Sequence, residues 1–328
     1  MATIYVTEPY AVVRKTSQRI VIEKEREVLL EVPAFKVDRL LLLGNIQVTG
    51  EAISFLLENG IQTSFFSQYG RLKGKLSPLT GKNVFLRIAQ FEAYNDENFG
   101  LSLAKDIVRG KIKNAVSFIH RFQRNHPEID FKEDVKRLKN CLLILERKQS
   151  VGSVVGIEGV ATAIYFKCFS RLLRKKLSFE KRVRRPPGDP VNALLSLGYV
   201  LLTNELFSLL DGIGFDPYIG FLHGINYGRP SLALDLAEEF RHFVVDRLTL
   251  RLINREVLKE EDFEERGGGY YLKDKPRKTY FEHYEKFLLH PFSYEEKSVN
   301  FRYIFFRQAQ KFAASVQKRE IYHPFRGE

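Results

Sequence analysis

The chain of 328 residues has only two cysteines, Cys141 and Cys168, and a single methionine. The two cysteines do not form a C-x-x-C pair, so the sequence favours neither a disulfide framework nor a structural zinc site. Both thiols are expected in the protein core. Few Cys and Met residues beside abundant Lys, Arg and Glu are also typical of thermophilic proteins.

Long hydrophobic runs are also scarce in this sequence. No apolar stretch approaches the ~20 residues that a membrane-spanning helix requires, and the first residues enter a strand pattern without a signal peptide. We therefore expect a cytoplasmic protein. Hydrophobic residues still make up 44% of the chain and aromatic residues 13%, which excludes a largely disordered protein.

Two common catalytic motifs are absent. The histidines other than His223 show no H-E-x-x-H or comparable zinc spacing. Gly267, Gly268 and Gly269 are not followed by the lysine and serine or threonine of a phosphate-binding loop, so they predict a flexible turn.

The charge of the chain is strongly positive. Its 52 Lys and Arg residues outnumber 40 Asp and Glu residues, which gives a formal net charge of +12. Basic proteins are drawn to polyanions because neutralising phosphates releases counterions. This balance predicts a polyanionic partner, but it does not separate DNA from RNA or from an anionic membrane.

Hydrophobic patterning predicts two domains of different class. Up to about residue 76, short β-like runs alternate with polar turns, interrupted by one helix between Thr49 and Gly60. Turn residues at 77–82 mark the boundary, so we expect a β-rich domain over 1–83 and a larger helical domain over 84–328. The predicted fold class is α+β. Helical periodicity predicts helices at 84–109, 111–124, 131–148, 152–176, 190–210, 230–256 and 296–318.

His223 and the acidic cluster that follows it are the most informative feature of the sequence. Pro230 suits the first position of a helix, and at ~100° per residue the cluster falls within an arc of roughly 100°. Apolar residues flank this arc, so its carboxylates need a cation or a basic side chain. A metal site requires a further ligand, and the alternative is a solvated acidic stripe paired with arginines. The cluster consists of Asp235, Glu238 and Glu239.

Glu158 is a second candidate ligand. It stands in the sequence G-I-E-G among small and apolar residues, at the predicted start of a helix. A carboxylate in such surroundings needs a partner. The alternative interpretation is a first-turn glutamate that the helix dipole stabilises by a few tenths of a kcal/mol.

Residues 171–185 form a dense basic segment. It holds eight Lys and Arg residues against the single acid Glu180. Asp189 is predicted to cap the next helix with Pro190 in its first position, so the end of the segment is an extended arm before a helix start. So many cations with little opposing charge favour phosphate contact over a solvated face. The candidate phosphate-binding residues are Arg174, Lys181, Arg184 and Arg185 in the segment, with Asn192 and Arg229 outside it.

Taken together, these motifs resemble one family. G-I-E-G around Glu158, the run R-R-P-P-G-D-P-V-N-A-L-L-S-L-G-Y from Arg184 to Tyr199, and G-F-L-H-G followed by S-L-A-L-D-L-A-E-E-F-R closely resemble the integrase of CRISPR spacer acquisition, CRISPR-associated protein one. The resemblance covers nearly the whole chain. It implies an N-terminal β-sandwich domain that dimerises, an all-α catalytic domain and a symmetric homodimer.

The resemblance also implies a metal centre and a reaction. One Mg²⁺ or Mn²⁺ ion would be held by Glu158, His223 and Glu238, with Asp235 as an additional acid near the metal. Such ligands leave coordination positions for water or phosphate oxygens. The implied activity is that of a DNA endonuclease and integrase, which inserts short foreign fragments as spacers into a CRISPR repeat array by attack of a 3′-hydroxyl on a phosphodiester. The implied partners are DNA and a small companion, CRISPR-associated protein two.

Two other functions use the same residues. A stand-alone nuclease on branched DNA or RNA would need the same metal ligands. A non-catalytic DNA-binding scaffold would need only the basic surface. The sequence leaves both open.

Overall fold

The computed structural model describes residues 2–67, 72–77, 83–173, 177, 179–184 and 186–327. The chain divides into two compact units. Unit 1 comprises Met1–Thr80 and Asp274–Glu285, and unit 2 comprises Gly81–Lys273 and Lys286–Glu328. Strands dominate the N-terminal part and helices the remainder, which confirms the predicted α+β class.

The described residues of unit 1 form two four-stranded sheets. One has the strand order β1-β5-β7-β8, in which only β7 and β8 pair antiparallel, and the other has the order β4-β3-β2-β6. The strands are β1 (Ala2–Val6), β2 (Val12–Thr16), β3 (Arg19–Lys24), β4 (Glu27–Pro33), β5 (Val37–Leu43), β6 (Gln47–Val48), β7 (Gln62–Phe66) and β8 (Leu72–Leu76).

Apolar side chains from both sheets and from helix α1 (Gly50–Glu58) form one core. Leu40 comes from the first sheet, Val13 from the second and Phe55 from α1, and all three are buried. Thr49 caps α1 as predicted, because its hydroxyl accepts a hydrogen bond from the N–H of Ala52 at 3.3 Å.

The remaining helices follow in chain order, with a π-helical turn at His242–Asp246 between α7 and α8. They are α2 (Val84–Asn95), α3 (Glu97–Asn125), α4 (Lys132–Glu146), α5 (Val151–Leu172), α6 (Pro190–Ile213), α7 (Ser231–Ala237), α8 (Arg247–Asn254), α9 (Asp274–Leu289) and α10 (Phe301–Lys318).

Two features of this list differ from the sequence pattern. Helix α9 was not predicted; its residues 274–285 cluster with unit 1, where Phe281 stacks on Tyr5 with ring centroids 4.9 Å apart. The two short hairpins of unit 2 were also not predicted as strands, although the glycine turn between the first pair was. These hairpins are β9 (Phe263–Arg266) with β10 (Gly269–Leu272), and β11 (Phe292–Tyr294) with β12 (Lys297–Val299).

The predicted break between two helices at Gly110 is wrong. The boundary between the two helices lies at Asp96, whose side chain caps α3 by accepting the N–H of Phe99 at 3.0 Å. Helix α3 then continues through Gly110 without interruption. A Cβ atom at Gly110 would lie 2.4 Å from Cβ of Pro324. Gly110 therefore makes room for the C-terminal segment instead of ending a helix.

The expectation that no apolar segment approaches membrane-spanning length also requires a correction. Among the described residues, α5 and α6 are each long and apolar enough to cross a bilayer, judged by length and composition alone. Both pack into unit 2, where Phe169 on α5 and Leu194 on α6 are fully buried. We therefore interpret them as core helices. Cys141 and Cys168 are both buried, as expected.

Candidate metal centre

Unit 2 brings Glu158, His223 and Glu238 together from three segments of the chain. Glu158 lies on α5, His223 in the loop before α7, and Glu238 directly after the last residue of α7. Because α5 begins at Val151, Glu158 lies beyond the first helical turn, so its interpretation as a first-turn residue favoured by the helix dipole is wrong. The hydroxyl of Thr162, one turn further along α5, donates to Oε1 of Glu158 at 2.8 Å and orients it.

Asp235 fixes the position of His223. Its buried carboxylate accepts the N–H groups of Phe221 at 2.6 Å, Leu222 at 3.0 Å and His223 at 2.9 Å. Nδ1 of His223 lies 2.7 Å from Oδ1 of Asp235. An ionised carboxylate only accepts hydrogen bonds, so Nδ1 donates to it, and in the neutral imidazole Nε2 then keeps a free lone pair. This is the tautomer that a metal ligand needs.

The loop that carries His223 is tightly constrained. A Cβ atom at Gly220 would lie 2.8 Å from Oδ2 of Asp235 and 2.7 Å from the carbonyl oxygen of His223, so no side chain fits there. Gln90, which is fully buried, donates to the carbonyl oxygen of Asp216 at 2.9 Å and accepts its N–H at 2.8 Å. The loop is therefore held from both α2 and α7.

A buried lysine joins the two glutamates. Lys111 on α3 forms an ion pair with Glu158, and its Nζ lies 2.6 Å from Oε2 of Glu238. Nη2 of Arg241 lies 2.9 Å from the other oxygen, Oε1, of Glu238. Burial raises the pKa of Glu238, but Arg241 and Lys111 outweigh it, and the pKa falls well below its ordinary value of 4.5. Glu238 is therefore ionised.

The donor set suits a divalent cation. Nε2 of His223 lies 3.9 Å from Oε1 of Glu238. Oε2 of Glu238 is buried and close to Lys111, yet it receives no correctly aligned hydrogen bond and so has coordinating capacity left. Carboxylate oxygens and an imidazole nitrogen are suitable ligands for Mg²⁺ or Mn²⁺. The residues thus fit the implied ion in chemistry.

Lys111 lies between two of these three residues. Within the ranges that the structure describes, no group of three or more His, Cys, Asp or Glu side chains is spaced to surround a metal. The ammonium of Lys111 instead contacts both Glu158 and Glu238.

An aromatic and acidic network supports Arg241. Its guanidinium lies 4.7 Å from the ring centroid of Tyr199, and the Tyr199 hydroxyl donates to Asp246 at 2.5 Å. Asp246 also accepts the hydroxyl of Tyr165 at 2.8 Å. Burial raises the pKa of both tyrosines well above 10, so they remain donors. The network holds Arg241 in place and, through it, Glu238.

In contrast to Asp235 and Glu238, Glu239 forms hydrogen bonds with the C-terminal segment. Its Oε1 accepts the hydroxyl of Tyr322 at 2.9 Å, and its Oε2 accepts the N–H of Phe325 at 2.5 Å. Burial raises the pKa of Glu239 from 4.5 to about 7, although these hydrogen bonds oppose the shift. Asp235 and Glu238 contact His223, whereas Glu239 secures the C-terminal segment.

Asn192 holds the basic arm from within. Its side chain is fully buried, accepts the N–H of Val183 at 2.9 Å and donates to the carbonyl oxygen of Lys181 at 2.9 Å. Asp189 caps α6 as predicted, because it accepts the N–H of Asn192 at 2.7 Å. In this structure Asn192 shapes the arm and does not face solvent.

The other predicted DNA-binding residues differ in accessibility. Lys181 and Arg184 are exposed and Arg229 is half-buried, so each has surface available to a phosphate. Arg174 and Arg185 lie outside the described residues.

The sequence pattern did not predict that Lys111 lies between the two glutamates. The ion pair of Arg241 with Glu238, in contrast, is the arginine pairing that the alternative interpretation of the acidic cluster expects. A signal for Lys111 was present, because its helical neighbours Ile107, Val108 and Ala115 are all apolar and all buried. A single lysine on such a face predicts a buried partner of opposite charge.

Comparisons with known proteins point to one family. The sequence profile of the family described as CRISPR associated protein Cas1 matches residues 4–286. A protein named CRISPR-associated endonuclease Cas1 3, from Thermus thermophilus, is 39% identical over 270 residues, which cover 82% of this chain and 79% of that protein.

Solved structures share the fold. A Cas1 protein from Thermotoga maritima has a TM-score of 0.85 and 26% identity, with both chains fully covered. A casposase bound to integration product has a TM-score of 0.89 and 23% identity, with 100% of this chain and 95% of the other covered. In a Cas6-RT-Cas1–Cas2 complex the TM-score is 0.85 and the identity 23%, with 100% of this chain and 36% of the other covered. The profile match and the identity to the Thermus thermophilus protein show that this chain belongs to the CRISPR-associated Cas1 family.

Proposed function

We propose that the protein is a divalent-metal-dependent DNA endonuclease and integrase that inserts short foreign DNA fragments into a CRISPR repeat array. The observation that carries this proposal is the meeting of Glu158, His223 and Glu238 around Lys111, with Nδ1 of His223 held by Asp235. The endonuclease name of the Thermus thermophilus relative supports the nuclease activity. The casposase structure that contains an integration product is consistent with strand joining.

Each residue has a separate role in this proposal. Glu158, Glu238 and Nε2 of His223 would hold Mg²⁺ or Mn²⁺. When bound, such an ion lowers the pKa of a water or a 3′-hydroxyl and stabilises negative charge on the phosphate. Asp235 keeps the proton of His223 on Nδ1. Arg241 keeps Glu238 ionised and oriented.

The nucleophile decides the product. A water that attacks the phosphorus forms a new P–O bond, breaks the bond to the 3′-oxygen and leaves a nick. The 3′-hydroxyl of a captured fragment would form the same bond and lose its proton, while the displaced 3′-oxygen gains one. The second reaction joins the fragment to the repeat.

The basic arm would hold the DNA. Lys181, Arg184 and Arg229 are accessible, and the net charge of +12 favours phosphate contact. Arg182 lies 5.4 Å from the ring centroid of Tyr199, the same ring on which Arg241 packs. The arm that would hold phosphates is thus connected to Glu238 through Tyr199 and Arg241.

We also propose binding partners and a cellular location for the protein. We expect a symmetric homodimer that works with a small companion of the Cas2 type, which is consistent with the Cas1–Cas2 complex of the same fold. DNA integration would take place in the cytoplasm.

A strand-transfer assay tests the proposal. Purified protein would be incubated with labelled fragments and a repeat-containing plasmid in Mn²⁺, Mg²⁺ or chelator, with and without the companion. We expect metal-dependent joining that Glu158→Gln and Glu238→Gln abolish. Glu239→Gln is the matched control, because the adjacent carboxylate contacts Tyr322 and Phe325 instead of the metal ligands.

Other outcomes would favour the other functions. Metal-dependent nicking without joining, even with the companion, would indicate a stand-alone nuclease. DNA binding without cleavage or joining in any metal would indicate a scaffold. Equal joining by wild type and both glutamate variants would refute the proposed site.

A further inference from the structure

We propose that Lys111 is the internal counter-cation of the metal centre, and that a divalent ion binds in competition with its ammonium group. This inference rests on the proposed metal-dependent function. It assigns to Lys111 a role in setting the metal affinity of the site and in keeping the metal-free protein folded.

Lys111 compensates the negative charge of two buried glutamates. The exposed fractions of the side chains are 7% for Lys111, 17% for Glu158 and 2% for Glu238. Two carboxylates that meet in such a buried place repel each other and lose hydration, so the fold requires a positive charge between them. Lys111 supplies it, because its ammonium contacts both glutamates.

The polar contacts of Lys111 are with the candidate metal ligands. In the described part of the chain, its ammonium has no polar partner besides Glu158 and Glu238. These two glutamates are the carboxylates that would ligate the ion. An ion that binds them therefore takes away the partners of Lys111, and the two cations repel each other at short range.

Arg241 differs from Lys111 in how its position is held. Arg241 binds the opposite oxygen of Glu238 and packs on Tyr199, which Asp246 holds in turn. Its position is thus fixed by contacts that an ion does not use. Lysine has a flexible four-carbon stem and a compact charge, so Lys111 is the cation that can give way.

Removing the charge should change stability and metal binding in opposite directions. In Lys111→Met the two glutamates lose the positive charge between them, although Glu238 keeps its ion pair with Arg241. The metal-free protein should therefore melt at a lower temperature than wild type. The same variant has lost the competitor, so we expect its dissociation constant for Mn²⁺ to fall by roughly tenfold. A purely structural lysine would weaken both properties together.

Four full-length proteins would be compared by calorimetric titration with Mn²⁺ and by melting in chelator and in saturating Mn²⁺. They are wild type, Lys111→Met, Lys111→Arg and Lys105→Met. Lys105 lies on the same helix and donates to the carbonyl oxygen of Glu146 at 3.0 Å, so it is a matched control for loss of a charge. We expect tighter Mn²⁺ binding and a larger melting shift on Mn²⁺ addition only in Lys111→Met. Equal or weaker Mn²⁺ binding by folded Lys111→Met would overturn the inference.

A measurement on wild type covers the case in which Lys111→Met does not fold. Acetylation of lysines would be followed by mass spectrometry in chelator and in Mn²⁺, with Lys105 as the internal reference. Release of Lys111 from its partners should increase its labelling in Mn²⁺, and unchanged labelling would contradict the inference. If wild type itself binds no Mn²⁺, the proposed function fails; if all four proteins bind it equally, only the role of Lys111 fails.

Discussion

Replacing Asp235 with asparagine tests the support behind His223. The two oxygens of Asp235 accept four N–H groups: those of the Phe221 and Leu222 main chain at Oδ2, and the main chain and Nδ1 of His223 at Oδ1. In Asp235→Asn an NH₂ group replaces one oxygen, so two buried donors lose their acceptor. Each unsatisfied buried donor costs about 1–3 kcal/mol, and two cost about 2–6 kcal/mol.

The same substitution affects the proposed metal site. If the NH₂ group faces His223, Nδ1 has to accept, and its proton moves to Nε2. The lone pair that would bind the metal is then lost. If the NH₂ group faces the main chain instead, the loop that carries His223 loses two hydrogen bonds. Either orientation should weaken Mn²⁺ binding.

Urea unfolding in chelator and calorimetric titration with Mn²⁺ measure the two effects. The matched control is Asp216→Asn in the same loop, because the Asp216 carboxylate accepts one main-chain N–H, that of Tyr218, at 2.9 Å. We expect the free energy of unfolding to fall by at least about 2 kcal/mol more in Asp235→Asn than in the control. Equal stability and equal Mn²⁺ affinity in the two variants would refute the reasoning.

Three further predictions concern buried positions that are not candidate metal ligands. Burial raises the pKa of Glu239 from 4.5 to about 7, so between these values the folded protein keeps a proton that the unfolded chain loses. The contribution of Glu239 to stability therefore falls as pH rises through this window. Glu239→Gln should reduce the change of the unfolding free energy with pH between pH 5 and 7, and an unchanged pH dependence would contradict this. Gly110→Ala places a Cβ atom 2.4 Å from Cβ of Pro324 and should destabilise the protein by about 1–3 kcal/mol. The control Gly100→Ala places its Cβ atom in open space and should stabilise α3 by up to about 1 kcal/mol. Urea unfolding curves that shift in the same direction for both variants would contradict the packing argument. Burial raises the pKa of the Cys168 thiol to about 12, so iodoacetamide at pH 8 should leave it unmodified in the native protein, and labelling there would show the thiol to be accessible.

Local signals in the sequence predicted local structure well. Asp189 followed by Pro190 predicted the start of α6, and Thr49 predicted the start of α1. These predictions succeed because a helix cap depends on residues within one turn of the chain. The candidate ligands Glu158, His223 and Glu238 came from motifs whose resemblance to the Cas1 family covers nearly the whole chain.

Residues whose role depends on distant partners could not be predicted in this way. Gly110 looks like a helix breaker until Pro324 is found packed against it. From the sequence, Glu239 is a third acid of the cluster, and only the structure shows that it accepts a hydrogen bond from Tyr322. Lys111 carries no motif at all, and only the fold brings it between the two glutamates. Tertiary contacts decide such positions, and a pattern of residue types does not contain them.

Anomalous diffraction from crystals soaked in Mn²⁺ tests the central claim most directly, because it locates the ion without reference to activity. The account predicts one strong peak bounded by Glu158, His223 and Glu238, with the ammonium of Lys111 withdrawn from both carboxylates. A protein that takes up no Mn²⁺ there, or an ion bound elsewhere while Lys111 still joins the two glutamates, would contradict it.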